Sequence, residues 1–425
     1  MGEGQRMMAR CERLYPLCRS ITGEGLRQTL RLIQSELPEL TLHEVPSGTQ
    51  VFDWIVPPEW RIEEGYIENE QGQRIIDFKE CNLHVVGYSE AVDTWLPLEE
   101  LKAHIYTQDD LPGAIPYVTS YYNRRWGFCM SRRQLDSLPE GKYHAVIKSS
   151  HFDGSLTYGE LYIPGESQEE IFLSSYVCHP SLANDNLSGP SLLTELALYL
   201  KSLPYRRYSY RLVLVPETIG SLTYLSCNLE RLKEKVVAGF NLTCVGDDRA
   251  YTYIASPYGD TLADRVLKNI LHFHYPKYRR YSFKKRGSDE RQYCAPGIRL
   301  PLSVFCRSRF LDFPEYHTSY DNLQLISAAG LQGSFEVMRE CLLLLEHNYR
   351  YEATCLGEPQ LGRRGLYPTV SKKKSYDEVK PMMHLLAYAD GKLDLIALSD
   401  RLKRPAAVLI PIVDKLLGAG LLQAR

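Results

Sequence analysis

The sequence predicts an α/β fold, a mainly parallel mixed sheet flanked by helices, which also carries a β-rich module and a small helical tail. Three observations lead there. From about residue 168, apolar runs of strand length alternate with segments of helical periodicity. Between about 40 and 165, short β-rich runs are broken by proline and glycine. After Tyr349, a Gly- and Pro-containing stretch leads into three short helical segments. Alternating strand and helix implies βαβ units, because parallel neighbours need a crossover long enough to hold a helix.

Taken in order, Leu26, Leu30, Ile33 and Leu37 recur at helical spacing before Pro38 and give residues 1–38 one apolar face. The runs Leu83 to Tyr88 and Tyr143 to Ile147, with Pro46-Ser47-Gly48, Pro57-Pro58 and Pro112-Gly113 as punctuation, have the texture of a β-rich module. Strands are then expected at Glu170 to Val177, Tyr210 to Val215, Val237 to Leu242, Tyr251 to Ala255 and Leu302 to Arg307. Helices are expected at Ser188 to Leu203, Leu222 to Lys235, Leu262 to Phe273 and Ala328 to Asn348. The tail reads as helices Tyr376 to Ala389, Leu395 to Leu402 and Ala406 to Ala419 with tight connections, a helix-turn-helix or winged-helix pattern. The expected division is a core of 1–40 and 165–350, an insert of 41–164, a linker of 351–375 and a tail of 376–425.

The bulk numbers exclude several classes. Acidic and basic residues nearly cancel, 52 against 50, so no global field draws the chain to nucleic acid or an anionic membrane. The tail is close to neutral, so DNA binding is not expected of it; a protein partner, self-association or simple packing is. No apolar run approaches the roughly 20 residues of a membrane span, and the N-terminus lacks the apolar core of a signal peptide. Eleven cysteines, odd in number and without a CxxC pair, fit neither a disulfide framework nor a cysteine-only zinc cluster, and a cytoplasmic location is expected.

The chemistry-bearing residues sit where strands end, which is where open α/β sheets bind ligands. His179 follows the strand 170–177, and Asp185 lies just before the next helix. An imidazole and a carboxylate on one such loop can converge on a cation. Glu217 follows the strand 210–215 and suits a general base. His317 follows the strand 302–307, with Asp321 expected to hold its second ring nitrogen. Tyr121 to Trp126 offers rings and guanidinium groups for an anion or for packing. Cys178 reads as a buried, inert thiol, and Lys372 to Lys374 as a solvated run.

The segments CHPSLANDNLSG (178–189), PETIGS (216–221) and PEYHTSYDNL (314–323) resemble, in order and spacing, the metal motifs of M28-type zinc aminopeptidases. With LCRSITGEGLR (17–27), VPSGTQVFDWIVPPEW (45–60), IPYVTSYYNRRWGFC (115–129) and EPQLGRRGLYP (358–368), the chain resembles still more closely a bacterial family of polysaccharide-biosynthesis proteins with an aminopeptidase-like domain. The resemblance implies an aminopeptidase-like core with an inserted β-rich domain and a C-terminal winged helix. It also implies His179, Asp185 and His317 as metal ligands and Glu217 as general base. Thr218 and Thr243 stand where the dizinc pattern has carboxylates. The expectation is therefore one zinc rather than two, held by His179, Asp185 and His317; Asp247, Asp248, Asp289 or Glu290 are the alternative, as replacement ligands. The implied function is zinc-dependent hydrolysis of an amide bond in a small peptide or N-acylated intermediate linked to surface polysaccharide. The alternative is a catalytically degenerate ligand-binding protein that uses its winged helix for partner interaction.

Overall fold

The computed structural model of the protein describes residues 1–366 and 375–425; the basic run Lys372 to Lys374 lies outside the described residues. An eight-stranded mixed sheet forms the centre. Its order is Thr41–Pro46, Ser155–Ile163, Ser209–Val215, Glu170–Tyr176, Val236–Leu242, Leu302–Cys306, Thr252–Ile254 and Arg279–Tyr281. The four strands from Ser209–Val215 to Leu302–Cys306 run parallel. Their side chains are almost all buried, as expected of strands covered by helices on both faces. Helices Glu3–Leu14, Ser188–Ser202, Leu262–His274 and Ala328–His347 contribute to one large apolar cluster with the sheet. Each fully buried Leu, Ile or Phe there stabilises the fold by about 1.5–3 kcal/mol. Mixed sheet, flanking helices and tail match the fold class read from sequence.

Two boundaries differ from expectation. Thr41–Pro46 and Ser155–Ile163, assigned to the insert, pair with each other and then with Ser209–Val215, so they are edge strands of the central sheet. Strand texture reveals a strand but not its partner. Between them, an antiparallel sheet ordered Arg74–Asp77, Glu59–Asn69, Lys142–Phe152 and Val92–Pro97 encloses a separate core of Ile67, Leu98, Phe128 and Ile147. Likewise Arg350–Ala353, which straddles the expected boundary between core and linker, is the middle strand of the tail's sheet, between Asp390–Asp394 and Leu422–Ala424.

The tail's helices Ser375–Tyr388, Leu395–Leu402 and Ala406–Gly418 complete it. Asn269 donates to Ser399 Oγ at 3.0 Å and Asp400 Oδ1 at 2.7 Å, and Arg265 pairs with Asp394 at 2.6 Å. Leu395, Leu409 and Val413 join the core's apolar cluster, so this tail is packed onto the helix Leu262–His274. No described helix is long and apolar enough to cross a membrane.

Candidate metal site

Loops at the carboxyl ends of the four parallel strands meet at one place. The first begins at Glu170–Tyr176 and runs through His179 to the distorted turn Ala183–Leu187. Its alternate polar residues bind the neighbouring loop instead of solvent. Asn184 Oδ1 accepts from Gly246 N at 2.8 Å, Asn186 Oδ1 from Cys244 N at 3.1 Å and Ser188 Oγ from Val245 N at 3.0 Å. Those bonds satisfy buried backbone donors that would otherwise each cost about 1–3 kcal/mol. They leave Asp185, between the two asparagines, turned to the site. Gly189 permits this fold-back: a Cβ there would stand 2.6 Å from Asn186 Nδ2.

His179, Asp185 and His317 converge, with candidate ligand atoms all within 4.8 Å of one another. His317 Nε2 lies 3.0 Å from Asp185 Oδ2, yet both atoms are buried without a hydrogen-bond partner. His179 Nδ1 lies 3.1 Å from the Asp185 carbonyl, the usual way a ligating histidine fixes its ring, and this leaves Nε2 directed toward Glu217. Asp185 Oδ1 is engaged by the Tyr176 hydroxyl, which also bonds Thr243 Oγ1 at 2.7 Å. Burial would raise the Asp185 carboxyl, but His179 and His317 hold it well below the usual carboxylate range. Burial likewise disfavours a charged His179, and the facing Asp185 overrides it and raises the imidazole well above its ordinary value. Two imidazoles and a fully buried carboxylate, with one atom of His317 and one of Asp185 lacking a hydrogen bond, fit a single zinc.

Glu217 approaches from the next strand, half-buried, with Oε2 3.5 Å from His179 Nε2. Thr218 has φ 63° and ψ −75°, and Ile219 N donates to Glu217 O at 2.8 Å. This is a γ-turn of the rare, strained type, and a β-branched residue at positive φ is an outlier. Asp289 holds it: Oδ1 accepts from Thr218 N and from Ser221 Oγ, each at 2.8 Å. Burial, and then the nearby Glu217, push the Asp289 carboxyl up to about 8. Arg291 lies outside the turn and donates to Thr218 Oγ1 at 3.0 Å.

The β-rich module closes the third side. Tyr117 N donates to His317 O at 2.8 Å, and Ser319 N to Ile115 O at 2.8 Å. The Tyr117 ring stands edge-on to both His179 and His317, 5.1 and 5.2 Å between centroids, and Tyr316 stacks on His317 at 3.9 Å.

All four sequence-derived residues, His179, Asp185, His317 and Glu217, are thus brought together. Asp321 is not where expected. It accepts from Asn184 N at 2.6 Å and Asp185 N at 2.8 Å, fixing the loop instead of the His317 ring. Burial, then Asp185, raise its carboxyl to about 8. The replacement ligands do not arrive either. Asp247 binds Ser308, Glu290 binds Gly287 N and Asn241, Asp289 serves the Glu217 turn, and Asp248 is exposed. Among the described residues no second ligand cluster forms.

Within the Tyr121 to Trp126 cluster, Arg125 bonds Tyr106 OH and Thr119 O and Trp126 stacks on His104 at 3.6 Å, Tyr121 OH lies 3.2 Å from Tyr117 OH, and Tyr122 and Arg124 are exposed. Cys178 is buried, its thiol pushed up to about 12 by burial. Tyr117 and Arg291 carried no sequence signal as site residues because each reaches the site from a separate segment, and Tyr176 reads only as the last residue of the buried strand before His179.

Residues 8–348 match the model of a family described as domain of unknown function DUF4910, and residues 349–424 match a winged helix-turn-helix. A relative from Clostridium acetobutylicum, provisionally named a polysaccharide biosynthesis protein with aminopeptidase-like domain, is 45% identical over 390 residues, covering 91% of this chain and 88% of its own. A crystal structure from Clostridium acetobutylicum, described as a candidate peptidase, superimposes with a TM-score of 0.93 at 41% identity over 99% of this chain and 96% of that one. BSAP, a zinc aminopeptidase from Bacillus subtilis, superimposes with a TM-score of 0.58 at 14% identity over 80% of this chain and 94% of its own, a likeness of fold.

Proposed function

Since the chain belongs to the DUF4910 family, on an aminopeptidase-like fold, we propose that it is a zinc-dependent hydrolase of an amide bond in a small peptide or N-acylated substrate. The observation that carries this reading is the facing pair Asp185 Oδ2 and His317 Nε2, 3.0 Å apart and buried without a hydrogen bond, beside His179 and Glu217. His179, Asp185 and His317 would hold one zinc, which supplies Lewis acidity and a water of lowered pKa. Glu217 takes a proton at its carboxylate and returns it to the leaving nitrogen. The γ-turn at Thr218, fastened by Asp289, sets the direction of that carboxylate. Tyr176 and Asp321 hold Asp185 from two sides. The rings of Tyr117 and Tyr316 pack against the histidines and help to fix their orientation. The relative's name motivates testing intermediates of surface-polysaccharide synthesis as substrates.

The test is metal content together with Glu217→Gln. One zinc per chain is expected. The variant should keep it while turnover of an acylamino or peptide substrate falls by about 100-fold or more. Full activity in a zinc-loaded variant removes Glu217 as the base.

A second reading is favoured by Thr218 and Thr243, neutral where the dizinc pattern has acids: a non-catalytic ligand-binding protein with the winged helix as its contact module. Turnover of any such substrate by the zinc-loaded protein rules it out.

A further inference from the structure

Arg291 belongs to no part of the machinery described above, and its surroundings are unusual. It is exposed, lies on the short segment that follows Asp289, and reaches Thr218, the residue after Glu217. Its Nε donates to Ser288 O at 3.1 Å and its Nη2 to Thr218 Oγ1 at 3.0 Å, so two of the five donors of a guanidinium fix its pose. Those are its hydrogen bonds among the described residues, and the nearby Asp289 and Glu290 feel its charge without forming an ion pair with it. Other arginines of this face are neutralised: Arg249 binds Glu315 twice at 2.9 Å, and Arg309 pairs with Asp312. The tether is itself informative. A carboxylate at 218 would pair with Arg291 and cancel it, whereas a threonine hydroxyl holds it without removing its charge.

The acids around the site are all committed. Asp185 faces the histidines and Tyr176, Asp321 holds two backbone N–H groups, and Asp289 holds Thr218 and Ser221. Thr243, the other neutral position, bonds Tyr176. Of the carboxylates named here, only Glu217 is therefore left for a free ammonium that approaches this site, while an anion meets a tethered guanidinium outside any ion pair.

We propose that Arg291 is the arm that recognises an anionic group of the substrate, and that the site takes ligands presenting a carboxylate, such as an N-acylated amino acid, in preference to a free amino terminus. This deepens the hydrolase reading and rests on it for the placement of the substrate. A guanidinium suits the planar carboxylate because it can donate two parallel hydrogen bonds.

The test measures binding by calorimetry in zinc-loaded Glu217→Gln protein, with N-acetylphenylalanine, its carboxamide and phenylalaninamide as probes. The carboxylate probe should bind at least about tenfold more tightly than the carboxamide, the scale of one charge-assisted hydrogen bond. Adding Arg291→Gln should abolish that preference with an unchanged Tm, and Arg291→Lys should restore part of it. Equal binding of the three probes, preference for the ammonium probe, a preference that survives Arg291→Gln, or no binding of any probe overturns the proposal. Carboxylate-selective binding without turnover by the parent protein would instead retain Arg291 and remove the hydrolase reading.

Discussion

His317→Ala isolates the metal site, because its Nε2 is one of the two ligand-type atoms buried there without a hydrogen bond. Zinc at about 100 times its Kd should stabilise the native chain by about 2.7 kcal/mol. Loss of an outer-shell partner alone typically weakens a metal site 10- to 100-fold. Loss of one of only three protein ligands should therefore cost at least about 100-fold. The same zinc concentration then only matches the Kd, and stabilisation falls to about 0.4 kcal/mol. The difference, about 2.3 kcal/mol, is a loss of about 2–3 °C of the zinc-induced rise in Tm for a chain of 425 residues. The zinc-free variant should fold normally, since the His317 side chain is 34% exposed and its removal opens little core volume. Thermal melts with and without zinc, paired with metal analysis, give the answer. A variant that keeps the full zinc-induced shift, or a parent that takes up two ions or none, would refute the single-site reasoning.

Asp289→Asn tests the buried carboxyl behind Glu217. Its folded-state pKa, about 8, lies above the ordinary carboxylate value, so the native state holds a proton that the unfolded chain releases. The associated stability is present below the unfolded pKa and is lost as pH rises from about 4 through about 8. Urea denaturation across that range should show this decline in the parent and a flatter profile in the variant, and identical slopes would discard the assignment. Gly189→Ala places a methyl group against the Asn186 amide, 2.6 Å from Nδ2 and 2.7 Å from Oδ1. It should destabilise by about 1–3 kcal/mol and also weaken zinc binding by displacing the loop that carries Asp185, whereas an unchanged unfolding midpoint would show that the loop has slack.

Much of the site was legible because its ligands are tied to strand ends. The apolar run before His179 and the one before Glu217 each reveal a strand, and in a parallel sheet the residue after such a run faces the ligand edge. Asp321 was misassigned for a comparable reason: its nearness to His317 in sequence suggested a partner, but the fold sets it under the Asn184 and Asp185 amides. The boundaries at 41 and 164 failed because a strand's texture does not say which sheet accepts it.

By itself, then, the sequence determined the alternation of strand and helix, the chemical types at three strand ends and the neutral residues at 218 and 243. These are properties of local pattern, which side-chain periodicity and residue chemistry carry without reference to distant segments. Only the tertiary structure decided that Asp185 and His317 face each other without a hydrogen bond, that Tyr117 crosses from the β-rich module to pack against the histidines, and that Asp289 and Arg291 meet at Thr218. Those contacts join segments far apart in the chain, and only packing of the sheet, its loops and the inserted module brings them within hydrogen-bonding range.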